Sequence, residues 1–191
     1  MHKRFVIFSV AFVALASAAI FTAPSGVTAS ADSRFVDPKP TPSRTKAKVR
    51  SVVFIDGEFD GNELAKTDAQ WKKELSAKEF YVMREDGTEQ AYTGALTKNK
   101  KAGTYHCAAC GLLLFKSDAK YDSQTGWPSF FQVAFKKNVI EKEDRTLGEV
   151  RTEVECARCK AHLGHVFDDG PQPTGLRYCM NSVSLKFKAA K

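Results

Sequence analysis

Four of the five cysteines in this 191-residue chain stand as two Cys-x-x-Cys pairs. The pairs are Cys107 with Cys110 and Cys156 with Cys159. If the fold brings two such turns together, they supply the four sulfur ligands that Zn²⁺ takes in a closed tetrahedral site, as a structural metal requires. The pairs are also compatible with disulfides or redox motifs, although a two-residue spacer closes a very small loop. We interpret them as the ligands of one structural zinc ion.

The fifth cysteine, Cys179, stands apart in the segment RYCMNS. A lone cysteine is more often a small buried hydrophobe than a nucleophile. Arg177 lies two residues away, where its charge can stabilise a thiolate, and nearby polar side chains offer partners for a reaction. These polar residues are His162, His165 and Asn181. We therefore expect the metal to hold the fold and Cys179 to carry the chemistry.

The first 31 residues have the pattern of an export signal. Lys3 and Arg4 precede an apolar run over residues 5–21, and the sequence ASA ends at Ala31. This order is typical of a cleaved signal peptide, and the run is shorter than a comfortable membrane span. Cleavage after Ala31 would lower the formal net charge from +7 to +5. We expect an exported protein, periplasmic or secreted, with no stable membrane insertion after cleavage.

The rest of the chain can bury one sizeable core, because 43% of the sequence is hydrophobic and 27% is charged. We interpret residues 32–66 as a Pro- and Lys-rich tether that ends in a short segment of uncertain structure, and residues 67–191 as one catalytic domain. Capping-box spacing predicts two short helices between residues 67 and 85. It pairs Thr67 with Gln70 and Ser76 with Glu79.

Beyond Gly87, short apolar or aromatic runs alternate with Gly, Pro, Asn and Asp, which favours antiparallel strands over βαβ units. The expected fold is mainly β, with antiparallel sheets that form a partly open, barrel-like core behind short N-terminal helices. The runs cover residues 105–107, 112–115, 130–135, 150–154, 165–167 and 182–187.

Four motifs in the C-terminal two thirds of the chain occur in an order that points to a known family. They are TYHCAACG at 104–111, GWPSF at 126–130, HLGHVFDDG at 162–170 and GLRYCMNS at 175–182. Together they resemble the B-type methionine sulfoxide reductases, which act on the R epimer, and the resemblance covers about residues 67–187. It implies a peptide-methionine (R)-S-oxide reductase that repairs oxidised proteins.

The resemblance also implies a role for each matched residue. Cys179 falls on the catalytic cysteine, which attacks the sulfoxide sulfur and becomes a sulfenic acid. Trp127 falls on the aromatic wall that receives the methyl group of the substrate. The remaining matches are a polar cluster around the sulfoxide oxygen (His162, His165, Asn181), a carboxylate near it (Asp169), a residue that favours the thiolate (Arg177) and the zinc ligands (Cys107, Cys110, Cys156, Cys159).

One departure from the family concerns the reducing half of the cycle. Many members carry a second, resolving cysteine just before GWPSF, where this chain has Thr125. With four cysteines assigned to zinc, no thiol is left to form an intramolecular disulfide with Cys179. We expect a one-cysteine cycle in which an external thiol, thioredoxin-like or small, reduces the sulfenic acid.

Two other classes of function share parts of this pattern. A zinc-ribbon module for nucleic acid would use the same cysteine pairs with a basic face, but the lysines are spread along the sequence and export removes the protein from most nucleic acid. We therefore expect no nucleic-acid partner. An exported peroxide or redox sensor would also use a reactive Cys179, and in a sensor Trp127 would have no catalytic duty.

Overall fold

The structure is a computed structural model that describes residues 51–146 and 148–191. The expected signal peptide and residues 32–50 of the expected tether lie outside the described residues. Within them, two short helices precede nine strands, so the expectation of a mainly β fold with N-terminal helices is confirmed. None of the helices in this part of the chain has the length and apolar character needed to cross a membrane.

Both helices begin at the capping boxes that the sequence predicts. Helix α1 (Asp68–Glu74) is capped by Thr67, and helix α2 (Ala77–Arg84) is capped by Ser76. In each box the cap hydroxyl accepts the N–H of the third helical residue, and the side chain of that residue accepts the N–H of the cap. The helices bury Trp71 from α1 and Phe80, Val82 and Met83 from α2.

The strands form two antiparallel sheets and not a closed barrel. A three-stranded sheet has the order β2-β1-β9, and a six-stranded sheet has the order β3-β4-β8-β7-β6-β5. Strands β1 to β4 are Gly103–Cys107, Leu113–Lys116, Lys120–Tyr121 and Ser129–Phe130. Strands β5 to β9 are Val139–Asp144, Arg151–Cys156, His162–Phe167, Arg177–Met180 and Leu185–Ala189.

Aromatic side chains join the two sheets. Phe115 of β2 stacks on Phe130 of β4 with ring centroids 4.2 Å apart, and Tyr105 of β1 meets the same ring edge-on at 5.0 Å. All three side chains are fully buried. Because the strands that carry them belong to different sheets, this cluster packs the small sheet on the large one.

Two of the predicted strands are shorter in the structure. The run 130–135 is extended only at Ser129–Phe130, because the chain then turns towards a short 3-10 turn at Lys136–Asn138. The run 182–187 starts with a 3-10 turn, Ser182–Ser184, and becomes strand β9 at Leu185. A serine side chain that bonds to nearby backbone favours the turn, since the Ser184 hydroxyl donates to Asn181 O at 2.7 Å.

Residues 51–66, the segment of uncertain structure that follows the expected tether, lie against the domain. Ile55 pairs with Leu112 in a single parallel bridge, and Leu64 N donates to Arg158 O at 2.7 Å. Fully buried Asn138 holds the segment between these points: its Oδ1 accepts Phe59 N at 2.7 Å, and its Nδ2 donates to Gly57 O at 3.0 Å. The same Nδ2 donates to the main-chain oxygen of Leu113 at 2.6 Å.

Replacing Asn138 by Ala should destabilise the domain by about 3 kcal/mol, because the backbone groups that it satisfies would remain buried without partners. Chemical denaturation measures this free energy of unfolding. The matched control is Asn62→Ala, since Asn62 is exposed and its side chain bonds only to Asp60. Equal stability of the two variants would show that the segment 51–66 is not held by Asn138.

Candidate active site and metal centre

The two Cys-x-x-Cys pairs meet in one buried cluster. Cys107 Sγ lies 3.6 Å from Cys159 Sγ, Cys110 Sγ lies 3.5 Å from Cys156 Sγ, and all four sulfurs lie within 4.8 Å of one another. Four sulfurs at about 2.3 Å from a tetrahedral zinc ion would be about 3.8 Å apart, so the spacing fits. No disulfide joins cysteines among the described residues. The cluster could therefore hold a metal ion.

The two turns of the cluster have the same backbone design. Gly111 N donates to Cys107 O and Lys160 N donates to Cys156 O, both at 2.8 Å. The residue after the second cysteine is left-handed in each turn, with φ +82° at Gly111 and +55° at Lys160. Only the first requires glycine for space, because a Cβ on Gly111 would lie 2.0 Å from Val53 O. Hairpins β1–β2 and β6–β7, from different sheets, thus meet at the sulfurs.

Cys179 lies on a central strand of the large sheet. On β8 it pairs with Ser129 of β4 on one side and with His165 of β7 on the other. Strand β7 approaches β8 closely at Gly164, where a Cβ would lie 2.1 Å from Cys179 O. Directly opposed residues on neighbouring antiparallel strands point to the same face, so the His165 ring and the Cys179 thiol share one side of the sheet.

A cavity of about 170 Å³ opens at this position. Four of the sequence-predicted site residues line it: Trp127, His165, Cys179 and Asn181. Its other lining residues are Thr88, Arg151, Gly164 and Phe167. The volume suits a small group such as a thioether side chain.

His162 and His165 are both on β7, although a regular strand would turn residues three apart to opposite faces. The register between β6 and β7 shifts at this point: Val154 pairs with Gly164 and Glu155 pairs with His162, which leaves one extra residue on β7. This bulge brings the two rings together, with centroids 5.4 Å apart. His162 itself lines an adjoining cleft and not the cavity at Cys179.

A carboxylate holds each histidine. His162 Nδ1 donates to Glu153 at 2.6 Å, and His165 Nε2 donates to Asp144 at 2.8 Å. Burial lowers the pKa of His165 despite the hydrogen bond to Asp144, so its ring is neutral at pH 7. The second ring nitrogen of His162, Nε2, is buried and has no partner within the described part of the chain.

Arg177 and Asp169 form a two-pronged ion pair beside the cavity. The guanidinium Nε and Nη2 donate to the two carboxylate oxygens at 2.7 and 2.8 Å, and the guanidinium also lies 4.3 Å from the ring centre of Phe167. Asp169 is 59% exposed and does not line the cavity. Asp169 is therefore the ion-pair partner of Arg177 and lies outside the cavity at Cys179.

Three hydroxyl groups connect β4 to the Cys179 thiol. Ser129 and Ser123 are 2.7 Å apart, Ser123 and Thr125 are 2.8 Å apart, and Thr125 Oγ1 lies 3.8 Å from Cys179 Sγ. Burial raises the pKa of the Cys179 thiol, and the Thr125 hydroxyl and the Arg177 charge offset this only in part. The resting site therefore holds a protonated thiol at neutral pH.

Glu89 is a site residue that the sequence analysis missed. Its backbone N donates to Asn181 Oδ1 at 2.9 Å, and its backbone O accepts Trp127 Nε1 at 3.1 Å. Its buried carboxylate accepts the N–H groups of Ser182 and Val183. One residue thus orients the indole and the amide that line the cavity. Glu89 has no metal-binding or catalytic residues close to it in sequence, so the sequence gives no indication of this role.

Asp144 and Arg151 were also missed. They pair across the β5–β6 hairpin, and Arg151 Nη2 donates to Asp144 Oδ2 at 2.5 Å while the same oxygen accepts His165. Opposite charges seven residues apart are compatible with a pair across a hairpin, but the sequence RTLGEV between them does not fix the hairpin register.

The rate at which iodoacetamide alkylates Cys179 should rise with pH and show its inflection above about 8.5, the ordinary pKa of a thiol, because burial opposes the thiolate. Mass spectrometry of the peptide that contains Cys179 measures this rate. Arg177→Gln should move the inflection further upward, whereas Lys73→Gln, at an exposed position of α1, should leave it unchanged. An inflection below pH 7 would contradict this description of the resting site.

The sequence matches the SelR domain family over residues 75–189, which is more than half of the chain. Several curated proteins named peptide methionine sulfoxide reductase MsrB are similar to it. The relative from Leptospira interrogans is 57% identical over 127 residues, covering 66% of this chain and 96% of that protein. The relative from Thiobacillus denitrificans is 57% identical over 122 residues, covering 64% and 92%. The relative from Acinetobacter baumannii is 58% identical over 123 residues, covering 64% and 88%.

Fold, metal-site geometry and these relatives agree with the resemblance found in the four motifs. The match takes in both cysteine pairs, Trp127, both histidines and Cys179. The chain belongs to the SelR domain family, the MsrB family of peptide methionine sulfoxide reductases.

Proposed function

We propose that this protein reduces the R epimer of methionine sulfoxide in oxidised proteins, with Cys179 as the nucleophile. The observation that carries the proposal is the position of Cys179: its half-buried thiol lines a cavity of about 170 Å³ together with Trp127 and His165. The relatives are named peptide methionine sulfoxide reductases, and a thiol in a cavity with these lining residues is suited to that reaction.

Trp127 orients the substrate. Its indole N–H is already bonded to Glu89 O, which leaves the ring face as an apolar wall of the cavity. The methyl group of a methionine sulfoxide packs against this wall, since the substrate offers little else to hold, and the sulfur then faces the thiol. Binding energy from this contact positions the sulfur for attack.

The reaction transfers one oxygen atom. Cys179 Sγ attacks the sulfoxide sulfur, the S–O bond of the substrate breaks, and an S–O bond forms on Cys179. The substrate sulfur is reduced to methionine, Cys179 is oxidised to a sulfenic acid, and the thiol proton ends on the transferred oxygen. The oxygen needs hydrogen bonds as its charge develops. His162 Nε2, buried without a partner among the described residues, is suited to hold an ordered water for this purpose.

An external thiol completes the cycle. Thr125, the position of the resolving cysteine in many family members, has its hydroxyl 3.8 Å from Cys179 Sγ. The other four cysteines are gathered in the buried cluster. Two external thiols therefore reduce the sulfenic acid, giving a disulfide and water. Because we expect an export signal at residues 1–31, we propose that this donor acts outside the cytoplasm, in the periplasm or beyond it.

The metal that we propose for the four-cysteine cluster is zinc. Burial raises the pKa of the Cys107 thiol well above its ordinary value, whereas hydrogen bonds from the neighbouring cysteines lower the pKa of Cys110. Four thiolates in contact would repel one another, so a bound cation is needed to hold all four as thiolates. Zinc would neutralise them and hold the two hairpins together, and the cluster has no open position at which it could take part in the reaction.

A coupled assay with the two separated epimers of N-acetylmethionine sulfoxide tests the function. The R epimer should turn over and the S epimer should not, and Cys179→Ser should abolish turnover because a hydroxyl is a far weaker nucleophile towards sulfur. Trp127→Ala should lower kcat/KM about 10- to 200-fold through lost apolar contact. Retained activity of Cys179→Ser, or faster reaction with hydrogen peroxide than with the R epimer, would overturn the proposal in favour of another nucleophile or a peroxide sensor.

Elemental analysis tests the metal. The purified chain should hold one Zn²⁺, Cys110→Ser should lose it, and Cys179→Ser should retain it as the matched control, because Cys179 lies outside the cluster. A metal-free protein in which mass spectrometry shows two disulfides would replace the zinc site with cross-links.

A single-turnover experiment tests the one-cysteine cycle. After one equivalent of substrate without reductant, dimedone should trap Cys179 as a sulfenic acid. Thr125→Cys should instead form a disulfide with Cys179, since the two side chains are already in contact, and its turnover with a thioredoxin-like donor should rise. Thr125→Ser is the control and should still yield the dimedone adduct. A disulfide at Cys179 in the unmutated protein would contradict this cycle.

A further inference from the structure

A groove of about 770 Å³ lies on the other side of the segment that carries Thr125, and nothing in the proposed chemistry uses it. Gln124 and Gly126 line this groove, while Thr125 contacts the Cys179 thiol and Trp127 lines the reaction cavity. Consecutive residues of one short segment thus face two compartments. When an oxidised methionine of a polypeptide enters the cavity, the residues that flank it in that polypeptide therefore lie near the groove.

The groove is strongly basic. Four lysines and one aspartate, Asp122, are its charged lining residues, and Asp122 already accepts Gln124 N at 3.0 Å. The lysines are Lys98, Lys100, Lys101 and Lys120. Lys98, Lys100 and Lys101 are close together in sequence, and the fold adds Lys120, on β3, which donates to Thr97 O at 2.8 Å and so joins β3 to the loop before β1.

Lysines with a carboxylate partner and lysines without one both occur among the described residues. Seven other lysines have a carboxylate within 4 Å of Nζ: Lys66, Lys78, Lys137, Lys142, Lys160, Lys186 and Lys188. Within residues 51–146 and 148–191, Lys98, Lys100 and Lys101 have none, and all three are exposed. Lys72, Lys73 and Lys136, outside the groove, also have no such partner within the described residues. The groove is distinguished because three unpaired lysines line one concave surface, where they can act together on a ligand.

The wall between groove and cavity is rigid. Tyr92 is 67% exposed, yet its hydroxyl donates to Gln124 O at 2.6 Å and its N–H donates to Gly126 O at 2.8 Å. Gly126 has φ +93°, and a Cβ there would lie 2.8 Å from Tyr92 N. The groove is therefore already formed, and a ligand does not have to order its wall.

We propose that this groove binds an acidic segment of the oxidised protein, next to the methionine sulfoxide that enters the cavity. Aspartate and glutamate side chains of the substrate meet the unpaired lysines. The proposal rests on the proposed function and adds a preference to it: among oxidised proteins, those with acidic residues beside the oxidised methionine are reduced faster.

Three peptides of equal length, each with a central methionine-(R)-sulfoxide, test this preference. Their flanking residues are acidic, neutral or basic, and kcat/KM is measured at low and at physiological ionic strength. The acidic peptide should exceed the neutral one about ten-fold at low ionic strength, and the advantage should shrink as salt screens the charges. Equal use of the three peptides would overturn the proposal.

A charge-reversal variant locates the effect. The triple variant Lys98→Glu, Lys100→Glu, Lys101→Glu should lose the preference for the acidic peptide while its kcat/KM for N-acetylmethionine-(R)-sulfoxide stays unchanged. The control carries Lys73→Glu and Lys136→Glu, two exposed lysines outside the groove, and should keep the preference. An equal loss with all substrates, or an equal change in the control, would contradict a specific groove.

Binding without turnover separates this proposal from the function itself. A fluorescent acidic peptide with unoxidised methionine should bind the wild-type chain more tightly than the triple variant, whether or not sulfoxide is reduced. A chain that binds this peptide but does not reduce N-acetylmethionine-(R)-sulfoxide would refute the proposed function and would still support the groove as a binding site for acidic peptides. Tighter binding of a single-stranded oligonucleotide than of the acidic peptide would assign the groove to nucleic acid and overturn the proposal.

Discussion

The meeting of four cysteine sulfurs at the ends of two hairpins is the constraint on which the rest of this structure depends. The hairpins belong to different sheets, and the sulfurs are the point at which their turns come together. A metal ion bound there would fix the start of β7, because His162 follows the second cysteine pair by three residues. It would thereby also fix which residue of β7 lies opposite Cys179.

Irregular strand geometry turns this scaffold into a reaction site. One extra residue in β7 brings two histidines together that a regular strand would separate, and Gly164 lets the β7 backbone pass close to β8. Carboxylates from β5 and β6 then hold the rings. The thiol remains protonated in the resting state because burial outweighs the pull of Arg177. The site is thus rigid around the thiol that we propose as the nucleophile.

Local chemistry explains which features could be predicted from the sequence. The helices and the cysteine turns depend on side chains within a few residues of one another, so capping boxes and Cys-x-x-Cys spacing were sufficient. Strand β5 was missed because it is a charged edge strand, with Glu141, Lys142 and Glu143 exposed. The bulge in β7 and the contacts of Asn138 and Glu89 join distant parts of the chain, and no local pattern encodes them.

Amide hydrogen exchange, measured together with turnover before and after chelation of the metal, tests the central claim most directly. If the four-cysteine cluster sets the pairing of β7 with β8, the amides of β6, β7 and β8 should lose protection together when the metal is removed, and reduction of the R sulfoxide should be lost in parallel. Restored metal should recover both. A metal-free chain that keeps its protection in β7 and β8 and its full turnover would contradict the account.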